Sequence, residues 1–249
     1  MVLGNNEWLM CCACSAGPAF EGGGITYGMR AMDGAIEKVD IDPDNDYSVS
    51  YATVNNASPV GICGSGLIDC LSKLRKAGII NRQGKMQKVD TWRMRQGEEG
   101  PEFVLAPAAE SGINKDITIS EADVENLIRA KGAVFAGIRV MLNKMQLPVE
   151  VISKILIGGG FGNYLNLRDS IRIGLLPDMA AEQYEFIGNS SLKGAHKALL
   201  SRNTFEHSVE LGRSLTYLEL SDGNEFYDEY VQAMFLPHTD MTLFPSVED

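Results

Sequence analysis

From Ser120 to Pro148 the apolar residues Val124, Leu127, Ile128, Val134, Phe135, Ile138, Met141, Leu142 and Met145 recur mostly three and four positions apart. That is the period of a helix with one buried face. Ser120 is placed to cap it, Asp123 completes a capping-box-like pattern three residues on, and Pro148 ends it. Near the start, Val2-Leu3-Gly4 and the alternating stretch Leu9 to Cys14 read as a hairpin across a Gly-Asn-Asn turn. A second hairpin has arms Ala35 to Ile41 and Tyr47 to Val54, joined by the turn formers Asp42-Pro43-Asp44-Asn45-Asp46. A helix is expected from Leu67 to Lys76, closed by Gly78.

Further on, Lys154-Ile155-Leu156-Ile157 is a short apolar strand running straight into glycines and then a helical segment. A strand at Tyr184 to Ile187, a helix from Asn189, and helical stretches at Phe205 to Leu215 and Phe226 to Phe235 follow. Asn81 to Lys115 is polar and weakly periodic, so residues 81–115 read as an insertion with one short strand at Phe103 to Leu105. Hairpins first and alternating helices and strands afterwards predict an α/β domain, a mixed sheet flanked by helices.

Charge narrows the partners. The 249 residues carry a formal net charge of -11, with no basic block, which repels phosphate backbones and anionic lipid surfaces. Nucleic acid and membrane are therefore not expected as partners. No apolar run reaches the roughly 20 residues of a membrane span, and a signal-peptide pattern is missing, so a cytoplasmic protein is expected. Cys11, Cys12 and Cys14 sit on an alternating apolar strand rather than at cluster-ligand spacing. They read as buried strand residues, and Cys63 and Cys70 as core or lining residues, so no metal site is expected in this chain.

Glycines carry the candidate chemistry. Gly158-Gly159-Gly160-Phe161-Gly162-Asn163 follows a strand and precedes a helix, where bare backbone and a helix N-terminus suit an anionic ligand. The dinucleotide fingerprint fails, because it would need a glycine at Asn163. The competing explanation is that these glycines only permit tight strand-to-helix packing. Gly61 to Gly66 has the same logic at another helix start, where Ser65 either caps the helix or binds an anion. Ser15 to Gly22 forms an unusual turn with a rigid Pro18 and one carboxylate, Glu21. The three histidines fall in no catalytic or metal motif, and the catalytic residue is not legible.

Taken in order, Ser15-Ala16-Gly17-Pro18-Ala19-Phe20-Glu21-Gly22, Gly61-Ile62-Cys63-Gly64-Ser65-Gly66-Leu67-Ile68-Asp69 and Gly158 to Asn163 resemble the ATP-dependent reductive activators of corrinoid proteins. That resemblance implies a lobe of the actin-like, ribonuclease-H-like ATPase fold shared by sugar kinases and heat-shock chaperones. It implies ATP and Mg as ligands of the parent protein, and an iron–sulfur cluster in the parent's ferredoxin module rather than in this chain. The expected partner is a corrinoid protein of a methyltransferase or O-demethylase system, driven from Co(II) to Co(I), with a parent homodimer left open. The nucleotide-binding residues it implies are Gly158, Gly159, Gly160, Gly162, Asn163, Gly17, Gly22, Gly64 and Ser65.

The short first arm of the opening hairpin fits a second lobe lacking its first strand and phosphate loop, so residues 1–249 are expected to be that lobe. The alternative is a non-catalytic interaction module whose insertion docks a corrinoid protein.

Overall fold

Helix α2 (Glu121–Lys144) begins where the capping pattern puts it. The Ser120 Oγ accepts from the Asp123 N–H at 3.1 Å, while an Asp123 carboxylate oxygen accepts from the Ser120 N–H at 2.9 Å. The other Asp123 oxygen accepts from the Thr26 N–H at 2.8 Å, so one side chain both caps the helix and ties a distant turn to it. In this computed structural model residues 1–159 and 165–247 are described. They divide into two units: one of Met1–Ser15, Ala136–Tyr164 and Met179–Glu229, and a larger one of Ala16–Phe135, Leu165–Asp178 and Tyr230–Asp249.

The larger unit is built on β3 (Ala35–Asp42), which pairs antiparallel with β4 (Ser48–Thr53) and parallel with β5 (Gly61–Ile62). Helix α1 (Gly64–Lys76) lies against β3, with Leu67, Ile68, Leu71 and Leu74 fully buried. Contact this close depends on a glycine. A Cβ on Gly66 would lie 2.2 Å from the Ile36 carbonyl oxygen, so Gly66→Ala is expected to lower stability by about 1–3 kcal/mol through overpacking. Urea denaturation checks this, with an unchanged midpoint refuting it.

Residues 94–120 hold more structure than the polar composition suggested. Strands β6 (Met94–Gly97), β7 (Gly100–Ala106) and β8 (Ile117–Ser120) form an antiparallel sheet in the order β6-β7-β8. Only the centre of β7, with Phe103, Val104 and Leu105 buried, was legible as a strand. β6 has a polar sequence, and side chains join it to its neighbours. Arg95 pairs with Glu102 at 2.7 Å and with Asp116 at 2.6 Å, and the Arg93 guanidinium donates to the Val104 carbonyl at 2.9 Å.

The smaller unit contains the opening hairpin, β1 (Val2–Gly4) with β2 (Leu9–Cys11), and a two-residue strand β11 (Thr216–Tyr217) parallel to β2. A second sheet pairs β9 (Ile155–Gly158) in parallel with β10 (Tyr184–Gly188). The unit's core groups Met10, Cys12, Val140, Met141 and Leu220, and the Cys12 Sγ is 3.3 Å from the Met141 Sδ. Of the three cysteines expected as buried strand residues only Cys12 is buried, just past the end of β2, and burial pushes its thiol pKa up. Cys11 and Cys14 are only partly buried, because β2 ends at Cys11 and the chain leaves the sheet. Helices α4 (Ser190–Leu200) and α5 (Arg202–Ser214) pack on each other, capped by Asn189 and Ser201. Two further helices are α3 (Leu167–Arg172), in the larger unit, and α6 (Glu225–Ala233).

Candidate functional site

The sequence-predicted site residues fall into three local settings. Gly158 ends β9, and a Cβ there would lie 2.7 Å from the Ser190 Oγ, so glycine is needed for strand-to-helix packing. Gly159 differs. Its φ of +105° lies in the region that favours glycine, and a Cβ there would meet none of the described residues within 4 Å. Its N–H is already donated to the Gly188 carbonyl at 2.7 Å, so Gly159 offers space beside the backbone rather than a spare donor. The start of α4 adjoins this crossing: Asn189 Oδ1 accepts from the Leu192 N–H at 2.9 Å, and Lys193 Nζ donates to the Ile187 carbonyl at 2.8 Å. Gly160, Gly162 and Asn163 lie outside the described residues.

In the larger unit, Gly17 has φ +72° and open space where a side chain would go. Gly22 has φ +86°, closes the 3-10 turn at Ala19–Glu21, and would place a Cβ 2.5 Å from the Met29 nitrogen. One glycine is therefore open and the other is committed to a close backbone crossing. Gly64 and Ser65 are buried at the start of α1. Ser65 Oγ sits 3.4 Å from the Cys63 Sγ, and no side chain caps this helix. The capping alternative is not realised, because Cys63 holds the N-cap position and the buried Ser65 hydroxyl makes a local contact.

The buried ionisable groups were not singled out by sequence reasoning. Asp169 of α3 is 1% exposed and accepts from the Ser72 hydroxyl of α1 at 2.5 Å, from the Asn166 amide at 2.5 Å and from Arg172 at 3.0 Å. Asp69, one turn before Ser72 on α1, is also buried, and its Oδ1 has no hydrogen-bond partner among the described residues. Burial and then the Asp169 charge push its pKa up to about 6, against the opposing bond from the Val39 N–H. Lys73 spans the exposed and buried sides of this group, 3.0 Å from Asp40 and 4.0 Å from Asp169, and holds the Asp40 carboxyl below its ordinary pKa. Asp69, Ser72 and Lys73 occupy positions i, i+3 and i+4, so a polar stripe on an apolar helix was the available signal.

A second case is Lys131, fully buried on α2, whose ammonium donates to the carbonyls of Phe235 and, at 2.6 Å, of Pro237. Burial drives its pKa well below that of an ordinary lysine. Lys131 falls three and four positions from Ile128 and Leu127, within the apolar face, which is where a lysine calls for an internal partner. Among the described residues, no group of three or more His, Cys, Asp or Glu could hold a metal ion, and no helix is long and apolar enough to cross a membrane.

A family model described as the C-terminal domain of RACo, the ASKHA domain, matches residues 1–248. The chain belongs to this family. The mixed α/β arrangement expected from the order of hairpins, helices and strands is thus that of the RACo C-terminal domain. Among its relatives, the corrinoid activation enzyme RamQ of Eubacterium limosum is 31% identical over 239 residues, covering 93% of this chain and 40% of RamQ. A Co(II) methylated amine-specific corrinoid protein reductase of Methanosarcina barkeri is 25% identical over 254 residues, covering 93% of this chain and 43% of the reductase. A solved reductive activator for corrinoid, iron-sulfur protein superposes with a TM-score of 0.93 and 60% identity, covering 99% of this chain and 39% of the activator. The chain spans about two fifths of the length of each of these proteins.

Proposed function

We propose that this RACo-type domain is the nucleotide-binding lobe of an activator that uses ATP to return a Co(II) corrinoid protein to the Co(I) state required for methyl transfer. The observation that carries the reading is the match over residues 1–248, and the geometry at the end of β9 supports it, where Gly159 has a positive φ and no described residue within 4 Å of the place a Cβ would take. The named relatives are corrinoid activators or reductases, which supports a corrinoid protein as partner. In this reading the domain is the second lobe of its actin-like fold, and a ferredoxin module elsewhere in the parent supplies the electron.

ATP with Mg²⁺ would supply the driving free energy of phosphoryl transfer when bound. The described residues fit it in part: in the smaller unit no described residue fills the place a Cβ on Gly159 would take, whereas in the larger unit Gly22, Gly64 and Ser65 are engaged in packing. Gly158 and Gly159 would lie along the nucleotide, with the first turn of α4 and its Lys193 giving that side a positive character. Phosphoryl transfer depends mostly on positioning and charge stabilisation.

The test is a calorimetric titration of the chain with Mg·ATP and Mg·ADP, together with phosphate release. Binding on the order of millimolar, alike for both nucleotides and without turnover, is expected for one lobe of a two-lobed site. Gly159→Val should weaken that binding by about 1–3 kcal/mol, because its side chain fills the approach to the backbone. The positive φ adds local strain to this variant, so a thermal melt accompanies the titration. Unchanged affinity in a folded variant would return the loop to a packing role, and steady turnover by the chain alone would overturn the single-lobe reading.

A second reading keeps the domain as a docking module. It draws on Trp92, an indole left 56% exposed beside the sheet of residues 94–120, with the Arg93 guanidinium 4.6 Å from its ring centre.

A further inference from the structure

Helices α4 and α5 meet at Ser201 and leave Leu192, Leu199, Leu200, Phe205, Val209 and Leu211 exposed, Leu199 at 84% and Leu200 at 72%. Neither helix contains a buried residue. On α4, Leu192, Ala195 and Leu199 follow one another at three- and four-residue spacing, and on α5 Phe205, Val209 and Gly212 do the same, so each helix has one apolar face. Single apolar side chains on a surface are ordinary, whereas these six share two adjoining helices and form a patch.

The described residues give these helices little to fold against. Helices of 11 and 13 residues are marginal in water without tertiary packing. Each also has an interior glycine, Gly194 and Gly212, and a Cβ at either would meet none of the described residues within 4 Å. A glycine inside a helix costs stability, and here no close neighbour within the chain offsets that cost. Gly212 lies on the same face as Phe205 and Val209, so the space beside it suits a second surface approaching the helix backbone.

Charge points to what that surface is. Helix α4 carries Lys193 and Lys197 and no acidic residue, while α5 carries Glu206 and Glu210, each pair four residues apart and so on one side of its helix. Lys193 is held by the Ile187 carbonyl and Glu206 by Arg202 at 2.9 Å. Lys197 has no hydrogen bond or ion pair among the described residues, and Glu210 meets His207 at 4.0 Å, a contact that is an ion pair only when the imidazole is protonated. A patch with apolar faces, one unpaired cation and one loosely held anion is complementary to itself, which is what a two-fold contact requires. We propose that the α4–α5 face binds a second copy of this chain, with Leu199 and Phe205 in the contact and Lys197 paired with Glu210 of the second copy.

Sedimentation equilibrium and light scattering on the purified chain test this, with circular dichroism to check that each variant keeps its helices. A dimer should form at concentrations on the order of 10 µM. Leu199→Glu and Phe205→Glu should each weaken it about ten-fold, whereas Met32→Glu, at an exposed apolar residue of the larger unit, should leave it unchanged. Lys197→Glu and Glu210→Lys should each weaken the dimer about three-fold, and the two together in one chain should restore it, because reversing both charges remakes the pair across the two-fold axis. That rescue leaves the apolar contact untouched, so it decides the matter even where a glutamate at position 199 or 205 unfolds its helix. A chain that stays monomeric overturns the proposal and leaves the face to another part of the parent protein or to a different protein. A dimer indifferent to the Leu199 and Phe205 variants, or charge variants that do not rescue each other, overturns it as well.

Discussion

Replacing Lys131 with methionine is expected to destabilise the domain by about 2–5 kcal/mol. Methionine keeps most of the side-chain volume but removes every donor, and it leaves the Phe235 and Pro237 carbonyls in the core without the ammonium that now meets them. Each buried carbonyl left unpaired costs about 1–3 kcal/mol, partly offset because the methionine no longer carries a buried amine. The pH dependence has a definite sign. The folded-state pKa of Lys131 lies below its unfolded value, so the unfolded chain binds more protons between the two. The lysine's contribution therefore rises with pH through that window and is complete above the unfolded pKa. Urea titrations of both proteins between neutral and mildly alkaline pH should show the deficit of the variant widening. A variant as stable as the parent would mean that the segment carrying these carbonyls finds other partners.

The second large effect is expected at Asp69, with the opposite direction at neutral pH. Asp69→Asn should stabilise the domain by up to about 3 kcal/mol at pH 7.5, because a shift from 3.8 to about 6 is worth close to 1.4 kcal/mol per unit. A raised carboxyl pKa means that the folded state holds the proton more tightly than the unfolded chain. This contribution is complete below pH 3.8 and is lost as pH rises through about 6. The difference between parent and variant should accordingly be small at pH 4, grow between pH 4 and 7, and level off above. Comparing the two proteins, rather than following one of them, cancels the titration of the other carboxylates. Asparagine also has a donor to offer the neighbouring Asp169. A variant less stable than the parent at pH 7.5 would overturn this reading, by showing that the Asp69 charge stabilises the fold.

The two sites explain each other's legibility. Helix α2 could be read in full from period and caps, since Ser120 and Asp123 cap it through each other, three positions apart, while the Asp123 bond to Thr26 was not legible. Its buried lysine could be suspected from spacing alone, but the acceptors lie 104 and 106 residues away. The Asp169 network has the same character, because its contact with Ser72 joins residues 97 apart. Local pattern marks a polar residue on an apolar face, and only packing supplies the partner that makes the burial tolerable.

Residues 94–120 show the reverse failure. A polar edge strand has no periodic signature to offer, and the ion pairs of Arg95 with Glu102 and Asp116 become visible only when β6 is set beside β7 and Asp116 is brought near.

By itself the sequence determined the mixed α/β class, both hairpins, the helices that carry caps and the order of three glycine motifs that leads to the corrinoid-activator family. These follow from residue spacing, turn chemistry and backbone freedom, all short-range properties. Tertiary structure alone decided what each glycine does. Gly66 is there for the Ile36 carbonyl and Gly22 for the Met29 backbone, while Gly159 has a φ of +105° and no described residue within 4 Å of the place a Cβ would take. A missing Cβ reads the same in every sequence. Whether the vacant volume is filled by neighbouring backbone or left accessible depends on which segments the fold brings within a few ångströms of it.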